Sequence, residues 1–357
     1  MQSHFLVLLV AIPLIAAPIC VLIKSRTLVW ALVSVVSGVC FVLSVKLLIL
    51  VSTSETALTY AIGFWDAPVG IQYRLDMVAA IVAFIVSLIA FIVALYSRVS
   101  LKDEIKAEKI PLFYSAYLLC LTGLLGITVT GDAFNLFVFM EISSLASYAL
   151  ISMGKNRAAL ISSFRYLIMG TIGATFLLIG IGLMYAHTGT LNMTDLAQRL
   201  PALLGKQSVQ VSLAFIVIGL AIKSALFPMH IWLPGAYTHA PISVSAFLAG
   251  TATKVSIYAL IRFLFTVFDQ TYAVSKAHLG PAFIILAVVA MLFGSILALK
   301  QDNLKRMLAY SSIAQIGYLF LGIGLFSVSG LSATITHIFN HAIIKTTLFL
   351  VLGCMIY

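Results

Sequence analysis

Charge is what this chain has least of. Only 9% of its 357 residues are charged, and just 11 of them are Asp or Glu. A soluble domain of this length carries about 25% charged residues, so a water-facing globular surface is excluded. Cysteine is sparse as well: Cys20, Cys40, Cys120 and Cys354 all fall in apolar runs without metal-ligand spacing, and read as packing residues that say nothing of redox compartment. There is no Walker A loop, no dinucleotide fingerprint after a strand, no CxxC pair and no HExxH. These absences disfavour an ATPase or a nicotinamide enzyme, and no cofactor is expected. The apolar runs also lack the ten-residue alternation of an outer-membrane barrel.

What is present is hydrophobic residue, 62% of the chain, with a mean hydropathy of +1.15. That composition predicts an all-α polytopic membrane protein. Spans are expected near 4–23, 28–51, 76–97, 111–130, 133–153, 163–186, 209–228, 242–265, 280–299, 308–328 and 332–355, about eleven in all. Residues 1–3 carry no basic n-region, and Lys24 and Arg26 follow the first run in place of a cleavage site, so that run is expected to be a retained helix rather than a signal peptide.

The net charge of +10 does not point to nucleic acid, because its distribution has a simpler reading. With the N-terminus outside, the inner loops hold Lys24, Arg26, Arg98, Lys102, Lys106, Lys109, Lys155, Arg157, Lys300, Lys305 and Arg306, whereas the outer loops hold only Arg74, Arg199, Lys206 and Lys276. Eleven against four is the positive-inside bias, which places the N-terminus outside.

Glu141 is the most informative residue. It is the one acid within the apolar run from Ala133 to Met153, nine residues beyond Asp132 and so about 13 Å into a helix. A charge at that depth costs about 2.5 to 3.5 kcal/mol on insertion scales. Lys223, Lys254 and Lys345 lie in other apolar runs, and His337, His341 and Lys345 recur at i, i+4 and i+8 with a drift of about 40° along one helix face. Together they read as a buried acid/base relay, in which the distance from Glu141 sets the proton affinity of Lys223. Two histidines four apart can bind metal, but no third ligand is evident and no metal site is expected.

Each residue also has a plainer reading. Glu141 could be a structural carboxylate bonded to a neighbouring helix, Lys223 could snorkel to a polar turn, Lys254 could face a wet cavity without a relay role, and at least one histidine could be structural. Lys46 is expected to snorkel, Arg165 and Arg262 to anchor span ends at the interface, and Asp132 to be a turn residue.

Residues 98–109 look soluble and separate peripheral N-terminal helices, 1–110, from a denser block, 111–268. Within that block, Pro228, Pro234, Gly235 and Pro241 follow Lys223 closely, and His230 and His239 flank the same stretch. Proline removes a backbone donor, so a broken helix with a polar turn is expected there, of the kind transporters place beside ion paths. An internal echo sets Ser143-Ser144-Leu145-Ala146 against Ser311-Ser312-Ile313-Ala314, and Met184-Tyr185 against Ile356-Tyr357. It suggests a repeat whose second copy, 269–357, is partial, in a truncated or split version of a longer protein.

These residues also carry a resemblance. Thr130 to Glu141 (TGDAFNLFVFME) resembles the glutamate helix of the antiporter-like subunits shared by Mrp-type cation/proton antiporters, respiratory complex I and membrane-bound hydrogenases. Lys223 to Pro234 (KSALFPMHIWLP) is similar to the family's broken helix, Ala240-Pro241 through Gly250 to Lys254 to its next helix, and His337-Ile338-Phe339-Asn340-His341 to a third signature. The stretches Phe64 to Ile71 and Thr188 to Met193 resemble the D-type subunits of the Mrp branch, whereas His230 and Trp232 to Ala236 are closer to complex I and the hydrogenases.

The resemblance implies about fourteen helices in two inverted five-helix repeats, the second with a broken helix that this chain lacks. It implies an ion-translocating subunit, working with other subunits of a membrane complex, protons and Na+, that relays protons through Glu141, Lys223, Lys254, His337, His341 and Lys345. Two other readings stay open: a proton-pumping subunit of a redox-driven complex, and a non-transporting scaffold or gene remnant. An intramembrane metalloenzyme built on His337 and His341 is more distant.

Overall fold

The computed structural model describes residues 4–54, 56–268 and 278–356. Lys276, one of the outer-loop cations, and Tyr357, one end of the internal echo, lie outside the described residues.

The chain is a bundle of helices, α1 (His4–Leu22), α2 (Arg26–Thr53), α3 (Met77–Glu104), α4 (Ile110–Val129), α5 (Ala133–Ser152), α6 (Arg157–Thr188), α7 (Met193–Arg199), α8 (Gln207–Lys223), α9 (Trp232–His239), α10 (Ile242–Gly250), α11 (Ala252–Arg262), α12 (Leu279–Leu299), α13 (Leu304–Gly324) and α14 (Val328–Ile356). Among the described residues ten helical stretches are long and apolar enough to cross a membrane, and the shorter apolar α8 makes the eleventh expected span.

Side chains at the span ends explain where the helices begin. Asp76 accepts from the Ala79 amide at 3.0 Å, Asp132 from Asn135 at 2.7 Å and Asn303 from Arg306 at 3.1 Å, each satisfying a free amide of the first turn. The helix α6 stops at Gly189, whose φ of 69° is a left-handed conformation that costs glycine little.

Several boundaries depart from the sequence reading. The soluble-looking segment is mostly helix, because α3 runs on to Glu104. Its end has a purpose: Glu104 accepts from the Ile242 amide at 2.9 Å and so caps α10, an acid at a helix N-terminus. The expected span 209–228 ends at Lys223, and 242–265 is interrupted at Thr251 and finishes as a π turn over Phe263–Val267. Between α2 and α3 a hairpin forms, β1 (Leu58–Ala61) antiparallel to β2 (Gln72–Leu75). It ties down the neighbouring loops: Gly131 N donates to Gln72 O, Ala133 N to Leu191 O and Met193 N to Gly131 O, all at 2.8 Å.

Burial ranks the helices. In Ile242–Val267 94% of the most apolar window is buried, and in Ala107–Val129 83%, against 28% in α12. The centre of the bundle is therefore α4 with α10 and α11, and α12 presents Ile285, Leu292 and Leu299 outward.

Close helix contacts rest on glycine. A Cβ on Gly219 of α8 would lie 2.6 Å from Gly173 O and 2.8 Å from Leu177 N of α6, and one on Gly123 of α4 would lie 2.6 Å from Phe139 O of α5. Small residues let membrane helices approach this closely. Gly219→Leu is expected to cost about 1 to 3 kcal/mol by overpacking, read as a lower thermal midpoint in detergent; an unchanged midpoint would mean that α6 and α8 are not held this tightly.

Candidate functional site

The site begins where α8 stops. Ala225 has φ 59°, its amide donates to Ile222 O at 3.1 Å, and the Leu226 amide reaches back to Ala221 O at 3.0 Å. This is the Schellman pattern, with alanine where glycine is usual. Trp232 Nε1 donates to the same Ile222 carbonyl at 3.0 Å, and the Trp232 ring stacks on Tyr166 at 3.9 Å. The carbonyls freed by the break are thus met by the protein itself, as backbone at membrane depth requires. The expected break between Lys223 and Pro241 is present, with Pro228 in the turn, Pro234 inside the short α9 and Pro241 just before α10.

Lys223 is the last residue of α8 and 4% exposed. Its Nζ lies 2.6 Å from Glu141 Oε1 and donates to Ser144 Oγ at 2.8 Å, so α5 offers it a carboxylate and a hydroxyl one turn apart. A lysine snorkelling toward the polar turn is not what forms here; Lys223 turns inward. Glu141 is the more open partner, its side chain 22% exposed against 2% for Lys223. Beside Lys223 a void of about 10 Å³ is bounded by Ser144, Tyr166, Ala252 and Ser256. That is room for about one water, with polar groups around it.

Ala252 and Ser256 bracket Lys254 on α11. Lys254 is 1% exposed, and its Nζ donates to Ala249 O, one of the carbonyls beside the irregular turn at Thr251 (φ −122°, ψ −60°). The interruption therefore supplies an acceptor where the described residues offer Lys254 no acid.

The helix α14 lies against α10, where a Cβ on Gly250 would collide with the Thr346 hydroxyl. Its neighbour Lys345, 3% exposed, donates to Leu308 O at 2.9 Å and to Ser311 Oγ, both on α13. His341 is 1% exposed, and among the described residues neither ring nitrogen has a hydrogen-bond partner; Nε2 of His337 is likewise unpartnered there. The two rings stack at 5.8 Å, 9° apart. His337 borders a cleft of about 420 Å³ between α13 and α14, with Gln315, Tyr318 and Thr334.

Other sequence candidates resolve differently. His230, which flanks the break, is 5% exposed and packs in one aromatic cluster with the rings of Phe227 (5.2 Å) and Phe293 (5.3 Å). Asp132 caps α5, and partial burial raises its carboxyl above the usual range. Lys46 lies 5.8 Å from the Phe5 ring. Of the four cysteines, Cys354 is exposed rather than packed.

Arg262 is no simple interfacial anchor. Its guanidinium pairs with Asp76, donates to Tyr258 Oη at 2.8 Å and lies over the Tyr258 ring, and Tyr258 in turn donates to Thr128 O at 2.9 Å. Burial alone would raise the Asp76 carboxyl, but the bond and charge of Arg262 more than offset it and hold Asp76 below its usual value. A depressed native value contributes stability above the unfolded carboxylate value and loses it as pH falls through the native one. Asp76→Asn is therefore expected to lower the thermal midpoint by a few degrees at pH 7 and by nothing well below about pH 4. Equal midpoints at pH 7 would contradict the assignment.

Sequence reasoning missed the hydroxyls. Ser144 and Ser311 each bond a buried lysine, and both belong to the Ser-Ser pairs whose echo suggested a repeat.

A broken helix ending on a lysine, a carboxylate from α5 and a file of buried amines define a helical ion-translocation fold. The chain belongs to the NADH:quinone oxidoreductase/Mrp antiporter transmembrane (TM) family, which residues 130–357 match. It is 42% identical over 362 residues to the NADH-quinone oxidoreductase N subunit of Desulforudis audaxviator, and 31% identical over 355 residues to the Na(+)/H(+) antiporter D subunit of Alkalihalophilus pseudofirmus. Each alignment covers 99% of this chain and 70% of the relative. Among solved structures, it superposes on a chain of the archaeal membrane-bound sulfane sulfur reductase with a TM-score of 0.90 at 33% identity, covering 99% of this chain and 71% of that one. For a chain of the Mrp complex from Dietzia sp. DQ12-45-1b the TM-score is 0.89 at 30% identity, with 99% and 64% covered.

Proposed function

We propose that this chain is the ion-translocating subunit of a multisubunit monovalent cation/proton antiporter that exchanges protons for Na+, in the cell membrane with its N-terminus outside. The observation that carries this reading is the Lys223–Glu141 pair, 2.6 Å apart at the end of a broken helix.

The relay runs inward from that pair. While Glu141 is close, it holds the proton on Lys223. Separation of the two releases it through the water-sized void between Ser144 and Ser256 to Lys254, whose neutral amine takes it on the nitrogen lone pair while one N–H stays on Ala249 O. From Lys254 the proton passes to His341 and Lys345. The unpartnered ring nitrogens of His341 and His337 are where ordered water completes the file, since buried polar groups are satisfied by protein or by water. The cleft beside His337 gives the path its lateral exit. Ion gradients supply the free energy, about 2.3 kcal/mol per charge for each 100 mV.

On this reading residues 111–268 form the first repeat and 269–357 part of the second, with 1–110 peripheral. The Ser-Ser-Leu-Ala of α5 and the Ser-Ser-Ile-Ala of α13 support the correspondence in sequence, although the serines that bond Lys223 and Lys345 are Ser144 and Ser311, the second of one pair and the first of the other.

A second reading, a proton-pumping subunit of a redox-driven complex, draws on the 42% identity to a quinone oxidoreductase subunit. One experiment separates them. In proteoliposomes holding the assembled complex, a Na+ jump without any electron donor is expected to move protons. If protons move only when a donor is supplied, regardless of Na+, the antiporter reading falls and the redox reading takes its place.

A further inference from the structure

The helices α2 and α3 carry a feature that the proton path does not use. At one end of their seam is a cup of about 360 Å³ bordered by Arg26, Arg98, Lys102, Trp30 and Ser97. Its three cations are exposed, and none belongs to an ion pair among the described residues. The cup is built rather than incidental: Trp30 Nε1 donates to Ala94 O at 3.0 Å, and the Arg98 guanidinium lies 4.4 Å from the Trp30 ring centre. A tryptophan anchored to backbone thus fixes the direction of an arginine.

Along the same two helices the cup is followed by a groove of about 760 Å³, bordered by Val35, Gly38, Val39, Val42 and Phe91. Trp30, Ser34, Gly38, Val42 and Lys46 succeed each other at intervals of four on α2, so cup and groove share one ridge. Gly38 keeps the groove open on its α2 wall, where even a Cβ would come within 3.1 Å of the Phe91 ring. From Ser34 to Lys46 the groove runs about 18 Å, comparable to one leaflet of a hydrocarbon core about 30 Å thick.

A cationic cup at the interface, continued by an apolar groove one leaflet deep, has one chemical complement. We infer that α2 and α3 hold an anionic phospholipid, its phosphate between Arg98, Arg26 and Lys102 and one acyl chain along Gly38 and Val42. Guanidinium and ammonium groups recognise the phosphate, and Trp30 occupies the glycerol level, where indole rings favour the interface. The inference is independent of which ions the chain moves.

The test is native mass spectrometry of the protein purified from its own membrane with its accompanying subunits. It is stripped with detergent and titrated separately with phosphatidylglycerol, phosphatidylcholine and inorganic phosphate. Phosphatidylglycerol is expected to be retained at concentrations about tenfold below phosphatidylcholine, given three cations near the headgroup. Arg98→Gln is expected to abolish that preference, Val39→Trp to weaken retention of both lipids by filling the groove, and inorganic phosphate neither to bind nor to compete. Equal retention of the two lipids by the wild-type protein would overturn the proposal whatever the variants do. So would phosphate competing as well as the lipid, or a partner helix occupying the groove and excluding lipid.

Discussion

Replacing Glu141 by alanine is expected to reduce cation-dependent proton flux through the assembled complex to background. The carboxylate is the sole acid on Lys223 among the described residues, and the ammonium would be left with Ser144 alone. Breaking a buried pair from one side costs about 3 to 5 kcal/mol, because the remaining charge stays buried without compensation. Without the carboxylate to hold and release its proton, Lys223 no longer cycles and carries nothing. The thermal midpoint should fall with the flux. Adding Lys223→Ala to Glu141→Ala should recover most of that stability, since the uncompensated charge is gone, while flux stays at background. A double variant as unstable as the single one would show that the pair is not one energetic unit.

Lys254→Met is expected to separate stability from function in the opposite direction. Lys254 is buried at the centre of the bundle and bonds a carbonyl beside an irregular turn, with no acid partner among the described residues. A thioether side chain of similar length fills the same space without a buried polar head, which removes the desolvation cost that an amine with no acid partner among the described residues carries. The variant should therefore melt at or above the wild-type temperature and yet carry no proton flux. A residue kept at a cost to stability is one that the chemistry needs. Loss of flux accompanied by a lower midpoint would make Lys254 structural, and unchanged flux would remove it from the path.

Much of this was legible in the sequence because hydrocarbon is an unforgiving solvent. A lone Glu141 in an apolar run and four prolines or glycines after Lys223 could only mean a buried charge and a broken helix, and both are present. The same reasoning failed where the deciding partner is far away in the chain. Arg262 reads as an anchor from its position near a span end, but Asp76, 186 residues away, makes it half of an ion pair. The run from Ile242 to Phe265 has the composition of one helix; the turn at Thr251 leaves Ala249 O to Lys254, and its local hint is the preceding Gly250. The hairpin of β1 and β2 was hidden because its strands are four residues each and depend on loops brought in from α4, α5 and α7. The serines at 144 and 311 were visible only as a repeated pair of letters, and structure was needed to turn them into lysine partners.

The central claim is that Lys223, paired with Glu141 at the break, carries the proton. Proton flux into proteoliposomes containing the assembled complex with Lys223→Ala measures it most directly, with subunit content checked against wild type. The account predicts flux at background in a complex that assembles fully; flux at the wild-type rate would contradict it.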